Sequence, residues 1–168
     1  MASNINYNVS LLSKRLRLPP VMGAHAEAMY TVLSDDSLYK YTGGSPPQSV
    51  VDVEKWFSAL ESRKSTDGHE LWLTWLIFTV EGDRAIGYIQ ATVENSKADI
   101  AWLVGSKWQG NGYASEAAAT LSAWLAASDI DRISAHIHPN HIASKLVASA
   151  AGLHSSGQME DDEEVWQN

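Results

Sequence analysis

Cysteine is missing altogether from these 168 residues. That excludes disulfides, thiolate nucleophiles and thiolate metal ligands, while remaining compatible with any redox compartment. No apolar run reaches the 18 residues of a membrane-spanning helix. The opening stretch, Met1-Ala2-Ser3-Asn4-Ile5-Asn6-Tyr7, has no basic patch followed by an apolar segment, so a cytoplasmic protein away from membranes is expected. Basic residues are scarce: 12 Lys and Arg stand against 20 Asp and Glu, a formal net charge of -8. A nucleic-acid partner, which needs clustered Lys and Arg to displace counterions, is therefore not expected. A cationic partner would be steered favourably. Internal repeats, linkers and low-complexity segments are also lacking.

What is present is ordinary globular material, 45% hydrophobic and 19% charged. A chain of this length can form one domain, residues 1–168, that buries about two-thirds of its unfolded surface. Leu16-Arg17-Leu18 alternates and is stopped by Pro19-Pro20, the pattern of a short edge strand. Ala26, Met29, Tyr30 and Leu33 share one helical face, and Val50, Val53, Trp56, Phe57 and Leu60 another, on a helix from about Ser49 to about Arg63. The glycines and prolines of Tyr39 to Pro47 require a loop between them. Leu71 to Val80 is almost continuously apolar, as in a central strand covered on both faces. Strands Ile86 to Glu94 and Ala98 to Val104 complete an antiparallel meander.

The period then changes. Ala114, Ala117, Ala118, Leu121, Trp124 and Leu125 form a helical stripe, and Ile133, Ala135 and Ile137 a fifth strand. A last helix places Ala143, Leu146, Val147 and Ala150 on one face and ends at Gly152, before short strands His154 to Gln158 and Glu164 to Gln167. The order predicts an α+β chain, with a mixed, mostly antiparallel sheet of six to seven strands flanked by about four helices.

Between the third meander strand and the next helix lies Gln109-Gly110-Asn111-Gly112-Tyr113-Ala114. Successive backbone N–H groups at a helix start, joined to the positive end of the helix dipole, make an anion site suited to a pyrophosphate. Glycine lets the phosphate approach those groups; an ordinary glycine turn has the same sequence. No Gly-Lys-Ser/Thr follows, and the meander contradicts the parallel strand order of a dinucleotide fold, so nucleoside triphosphates and NAD are disfavoured.

Ile100 to Leu153 resembles the GNAT acetyltransferase superfamily, particularly its ribosomal-protein N-terminal acetyltransferase-like (RimJ/RimL-like) branch. The likeness rests on Gln109 to Ala114, on Ser115-Glu116-Ala117 that continues it, on His138-Pro139 through Ser144, and on Gly152-Leu153. Leu16-Arg17-Leu18 and Ile86-Gly87-Tyr88 fit the same order of elements. The resemblance implies the acyl-CoA N-acyltransferase fold and acetyl-CoA as cosubstrate. The pantetheine arm would lie beside Leu103, Val104 and Gly105, and the pyrophosphate at the N–H groups of Gln109, Gly110, Asn111, Gly112, Tyr113 and Ala114. His141 occupies the place of the family's cofactor-contacting Asn, while Asn140, one place earlier, is suited to capping the last helix. Ala148 stands where many relatives carry the tyrosine that protonates the departing thiolate, which leaves Ser144 as the nearby cofactor-contacting and proton-donating hydroxyl. Asp99 and Glu94 are the candidate bases. His136 and His138 alternate onto one strand face, where histidines are more often structural.

The same resemblance puts the acceptor amine between the two N-terminal helices, the central strands and the last hairpin. Tyr39, Tyr41, Trp56, Trp72 and Trp75 are candidate wall residues there, and Glu160-Asp161-Asp162-Glu163-Glu164 a cation-attracting run, although tryptophans also fill cores and acidic runs also form solvated turns. The acceptor is either a small amine, polycationic or an antibiotic, or a peptide N-terminus. An acyl-CoA-binding sensor is the alternative. No metal site is expected, and the chain would act as a monomer or homodimer.

Overall fold

The computed structural model describes residues 6–168; residues 1–5 of the opening stretch lie outside the described residues. The elements follow in the order β1 (Leu11–Leu12), β2 (Leu16–Leu18), α1 (Ala26–Leu33), α2 (Val50–Leu60), β3 (Leu71–Thr79), β4 (Ala85–Glu94), β5 (Lys97–Val104), α3 (Tyr113–Ala126), β6 (Arg132–Ile137), α4 (Ile142–Ala150), β7 (His154–Glu160) and β8 (Glu163–Gln167). They form an eight-stranded sheet ordered β1-β2-β3-β4-β5-β6-β8-β7. The meander β3-β4-β5 is antiparallel as its short turns require, and β5 and β6 are parallel. The strand beyond the expected seven is β1, a two-residue edge paired with β2 and too short to show a period of two.

Two apolar clusters lie on opposite faces of the sheet. Leu73, Trp75 and Ile77 of β3 turn toward Ala117, Leu121 and Leu125 of α3 and Val147 of α4. Leu76 and Phe78 turn the other way, toward Met29 and Leu33 of α1 and Val53 and Phe57 of α2. The unbroken apolar run of β3 thus follows from burial on both faces.

Two details differ from the periodicity. The buried residues of α4 are Ser144, Val147 and Ala148, whereas Leu146 is 66% exposed and Ala143 and Ala150 also face outward. Small side chains at 144 and 148 let the helix approach the sheet closely, and the larger Ile142 and Leu146 are left outside. Helix α2 ends at Leu60 rather than Arg63, whose φ of 55° is left-handed.

The β5/β6 ladder positions the site. Its pairing runs only from Lys97↔Arg132 to Asp99↔Ser134. Beyond Asp99, β5 continues to Val104 while β6 turns to pair with β8 through Ser134 to Ile137. The two parallel strands therefore splay, and among the described residues no strand pairs with that edge of β5 from Ile100 to Val104. Gly87, facing Val104 in register, has no room for a Cβ because the Leu103 carbonyl fills that space.

Candidate active site

Past the open end of β5, a single 3-10 turn, Ser106–Trp108, leads into the glycine loop and α3. Gly110 and Gly112 both have φ of 78°, a left-handed conformation that costs other residues roughly 1–2 kcal/mol. Gln109 Nε2 donates to the Val104 carbonyl at 2.9 Å, tying the loop to the strand end. The Asn111 side-chain amide donates to the carbonyls of Trp108 and Gln109, both at 3.1 Å. Among the described residues, the N–H groups from Gly110 through Ser115 have no protein acceptor, whereas that of Gln109 is held by Ser106 O at 3.3 Å. Six successive donors at the start of a 14-residue helix are what an anion requires. The free N–H groups thus run from Gly110 to Ser115, one place along from the expected Gln109 to Ala114.

A residue that sequence reasoning missed braces this loop. Arg15, beside β2, donates from Nη1 to the Asn111 carbonyl at 2.9 Å and from Nε to Glu116 Oε2 at 2.6 Å. Its guanidinium lies 4.6 Å from the centre of the Tyr113 ring. The backbone N–H of Arg15 and the hydroxyl of Ser13 both donate to Glu116 Oε1, at 2.8 and 2.6 Å. Burial alone would raise the Glu116 pKa, but the bonds from Ser13 and Arg15 outweigh it and hold the carboxyl below its ordinary value. Nothing local in the sequence marks Arg15, because its partners lie about a hundred residues away.

Ser144, 9% exposed, reaches the splay from the α3/α4 side. It accepts from Trp102 Nε1 at 3.3 Å and lies 3.4 Å from His141 Nε2. Trp102 was not among the expected site residues. Tyr41 stacks on His141, with ring centres 4.4 Å apart and planes 18° apart, and tilts against His138 at 5.2 Å. Burial, assisted by the charge of His138, lowers the His141 pKa and keeps the ring neutral near pH 7. Ala148 is fully buried and carries no titratable group.

On the opposite face Asp99 accepts from Ser134 Oγ at 3.0 Å and lies 3.0 Å from His136 Nδ1. The other ring nitrogen of His136 lies 3.0 Å from Glu160 Oε2. Both carboxylates are satisfied at once only when both nitrogens carry protons. Burial pulls the His136 pKa down, but Glu160 and Asp99 outweigh it and leave it raised. Burial raises that of Asp99 against the pull of His136 and Ser134.

Three expected members fall elsewhere. Glu94 pairs with Lys97 at the closed end of the β4/β5 hairpin, about 23 Å of strand from Val104 at ~3.3 Å per residue. Trp72, 37% exposed, donates to Glu70 and borders an open depression of about 500 Å³ with Glu94, away from Tyr39 and Tyr41. Trp75 is fully buried on the α3 side, packed edge-on to Trp124 and donating to Val9 O at 2.9 Å. Alternation along β3 sends its side chain to the wrong face for a pocket beside α1 and α2. Of the acidic run, Glu160 serves His136, Glu164 pairs with Lys145 at 2.8 Å, and Asp161 and Asp162 form the left-handed hairpin turn. Leu103 and Val104 are both buried, in the α1/α2 and α3/α4 clusters respectively.

A family model described as an acetyltransferase (GNAT) domain matches residues 15–154. The chain belongs to the GNAT acetyltransferases, acetyl-CoA-dependent N-acetyltransferases. The fold is shared with RimL, a ribosomal L7/L12 α-N-protein acetyltransferase solved with coenzyme A, at a TM-score of 0.76 and 18% identity over 95% of this chain and 97% of that one. An acetyltransferase of the GNAT family from Bacillus anthracis superposes with a TM-score of 0.73 at 18% identity, over 95% and 96% of the two chains. The microcin C7 self-immunity acetyltransferase MccE, solved with acetyl-CoA and AMP, gives 0.74 at 14% identity, with 93% of each chain covered. No curated protein sequence matches the chain. None of the helices among the described residues is long and apolar enough to cross a membrane.

Proposed function

We propose that this chain transfers an acetyl group from acetyl-CoA to a primary amine by direct attack within a ternary complex. The observation that carries the reading is the run of six unpaired N–H groups, Gly110 to Ser115, at the mouth of the β5/β6 splay. That run fits the pyrophosphate, and the open edge of β5 fits an extended arm paired to its backbone near Leu103, Val104 and Gly105. Ser144, His141 and Trp102 line the side of the splay nearer α4. The thioester that acetyl-CoA supplies is an activated acyl donor, so this chain's residues need only align, deprotonate and protonate.

Asp99, the last residue of β5 paired to β6, is our candidate to take the proton of the attacking amine through water. Its raised pKa makes it a better base than an ordinary carboxylate, and His136 steadies the pair. The new bond joins the amine nitrogen to the acyl carbon, the carbon–sulfur bond breaks, and the Ser144 hydroxyl protonates the departing sulfur, regaining a proton from water while Asp99 releases to solvent the one it took. Backbone N–H groups near Leu103 and Val104 would steady the oxyanion. Ser144 is the hydroxyl available for this role because Ala148 offers none.

The acceptor is a small amine or a peptide N-terminus; a ribosomal-protein acetyltransferase, RimL, and a microcin self-immunity acetyltransferase, MccE, share the fold. The test is free-thiol release from acetyl-CoA with aminoglycosides, polyamines and N-terminal peptides. Turnover that falls at least tenfold in S144A, with the Kd for CoA retained, supports the assignment. Full activity in S144A removes Ser144 from the mechanism. Micromolar CoA binding with no turnover of any amine would identify an acyl-CoA sensor.

A further inference from the structure

Between α1, α2 and β4 lies a partly open cavity of about 250 Å³, walled by Leu33, Tyr39, Val53, Trp56 and Tyr88 and bordered by Pro47 and Ser45 of the loop before α2. Its position relative to the reaction is fixed by register. Tyr88 pairs with Leu103 across β4 and β5. Opposed residues of antiparallel strands share a face at about 5 Å. The cavity floor thus lies one strand spacing from the open edge of β5.

The lining states what skeleton fits. Three of the walls are aromatic and three aliphatic or proline. Trp56 stands edge-on to Tyr88 at 5.8 Å and, at 40% exposure, is a large hydrophobic side chain left uncovered beside the opening. The Tyr39 hydroxyl is already engaged, donating to Leu33 O at 2.7 Å. The Tyr88 hydroxyl has no protein partner among the described residues. Burial pushes its pKa up to about 12, so it stays a neutral donor. One acidic side chain borders the cavity, that of Asp52, an exposed residue whose carboxylate accepts from Ser49 Oγ at 2.8 Å.

A space of about 250 Å³ holds roughly eight non-hydrogen atoms at water's share of about 30 Å³ each. That is a side group, below the roughly 300–1,000 Å³ of pockets that enclose a whole drug-sized ligand. A polyamine or aminoglycoside would set several ammonium groups against walls that offer a single carboxylate at the rim, and buried unpaired charge is costly.

We infer that the acceptor is a primary amine carrying one compact aryl or branched-alkyl group, which fills this cavity while the nitrogen reaches the β5 edge. The inference rests on the acetyl-transfer reading above and narrows its acceptor.

The probe is 2-phenylethylamine, compared with ethanolamine, spermidine and kanamycin in thiol-release kinetics with acetyl-CoA, and by calorimetry against the enzyme saturated with CoA. A kcat/KM for 2-phenylethylamine at least 100-fold above that for ethanolamine is expected. S45F, a substitution on an exposed loop that fills the cavity, should raise the KM for 2-phenylethylamine at least tenfold, and the Kd for CoA checks that the variant is folded. Preference for spermidine or kanamycin, or an S45F enzyme with an unchanged KM, overturns the inference and leaves acetyl transfer standing. If no amine turns over yet 2-phenylethylamine binds the CoA complex and S45F abolishes that binding, the cavity assignment holds and the transfer reading falls.

Discussion

Replacing Gly112 by alanine isolates the loop's backbone requirement from its chemistry. The native φ of 78° is left-handed, and placing an L-residue there costs roughly 1–2 kcal/mol. The added Cβ would lie 3.4 Å from Arg15 Nη2, an ordinary contact that needs little movement of the arginine. Nearly all the cost is therefore conformational. If the loop keeps its shape, the melting temperature falls by about 2–8 °C, at the 2–4 °C per kcal/mol usual for chains of this size. If the loop relaxes to φ below zero, the N–H groups turn away and the Kd for CoA rises on the order of 5- to 30-fold. Gly110 has the same φ, and a Cβ placed on it would meet no atom within 4 Å, so G110A should lose a similar amount and G110N, whose residue tolerates left-handed backbone, should lose less. Calorimetric titration with CoA and thermal melts on the three variants read both quantities. An unchanged Kd and melting temperature in G112A would refute the backbone argument. A lowered melting temperature with unchanged Kd in both alanine variants would show that the loop is not the phosphate cradle.

Four further variants follow from the geometry. E116Q removes the charge that gathers Ser13, the Arg15 backbone and the Arg15 guanidinium; weakening these charge-assisted bonds should cost about 1.5–3 kcal/mol in stability, read by urea unfolding, with weaker CoA binding as the loop loses its brace. Because the Glu116 pKa is lowered in the folded state, its contribution is complete above its unfolded value near 4.5 and is lost as pH falls through the folded value, so wild type and E116Q should converge in acid. His136 has the opposite sign. Its pKa is raised, so its contribution is present below about 6.5 and is lost as pH rises through the folded value; the melting-temperature gap between wild type and H136Q should shrink between pH 6 and pH 9. E94Q and W72A, both at the closed end of the sheet, should leave kcat within twofold of wild type, and a tenfold loss in either would return that end to the site.

Legibility in the sequence followed the range of the interaction. The glycine loop, each strand of the meander and the α3 stripe are encoded within about fifteen consecutive residues, and periodicity finds them. Arg15 was invisible because its meaning lies in Asn111, Tyr113 and Glu116, which only the fold brings to it. Trp75 and Trp72 show the complementary error: the family resemblance suggests an aromatic wall, but strand alternation sends Trp75 into the α3 core, and the hairpin register carries Trp72 toward the closed end. On α4, periodicity alone favoured the face with Leu146 over that with Ser144, because the larger hydrophobic outweighs a serine on any transfer scale. Close approach of helix to sheet reversed the preference.

The sheet also divides the labour of the site. The loop, Arg15, Ser144 and Trp102 belong with α3 and α4 on one face, while Asp99, His136 and the aromatic cavity belong with α1, α2 and the last hairpin on the other. The two sets meet only where β5 and β6 part, after Asp99 and Ser134. Substitutions on the first face should therefore move the kinetic constants for acetyl-CoA, and those on the second face the constants for the amine. Coupling between the two in double-mutant cycles is expected only for pairs that border the splay, such as Ser144 with Asp99. A large coupling between Glu116 and Trp56, which sit on opposite faces, would mean that the sheet transmits strain between its two cores, and the division would fail.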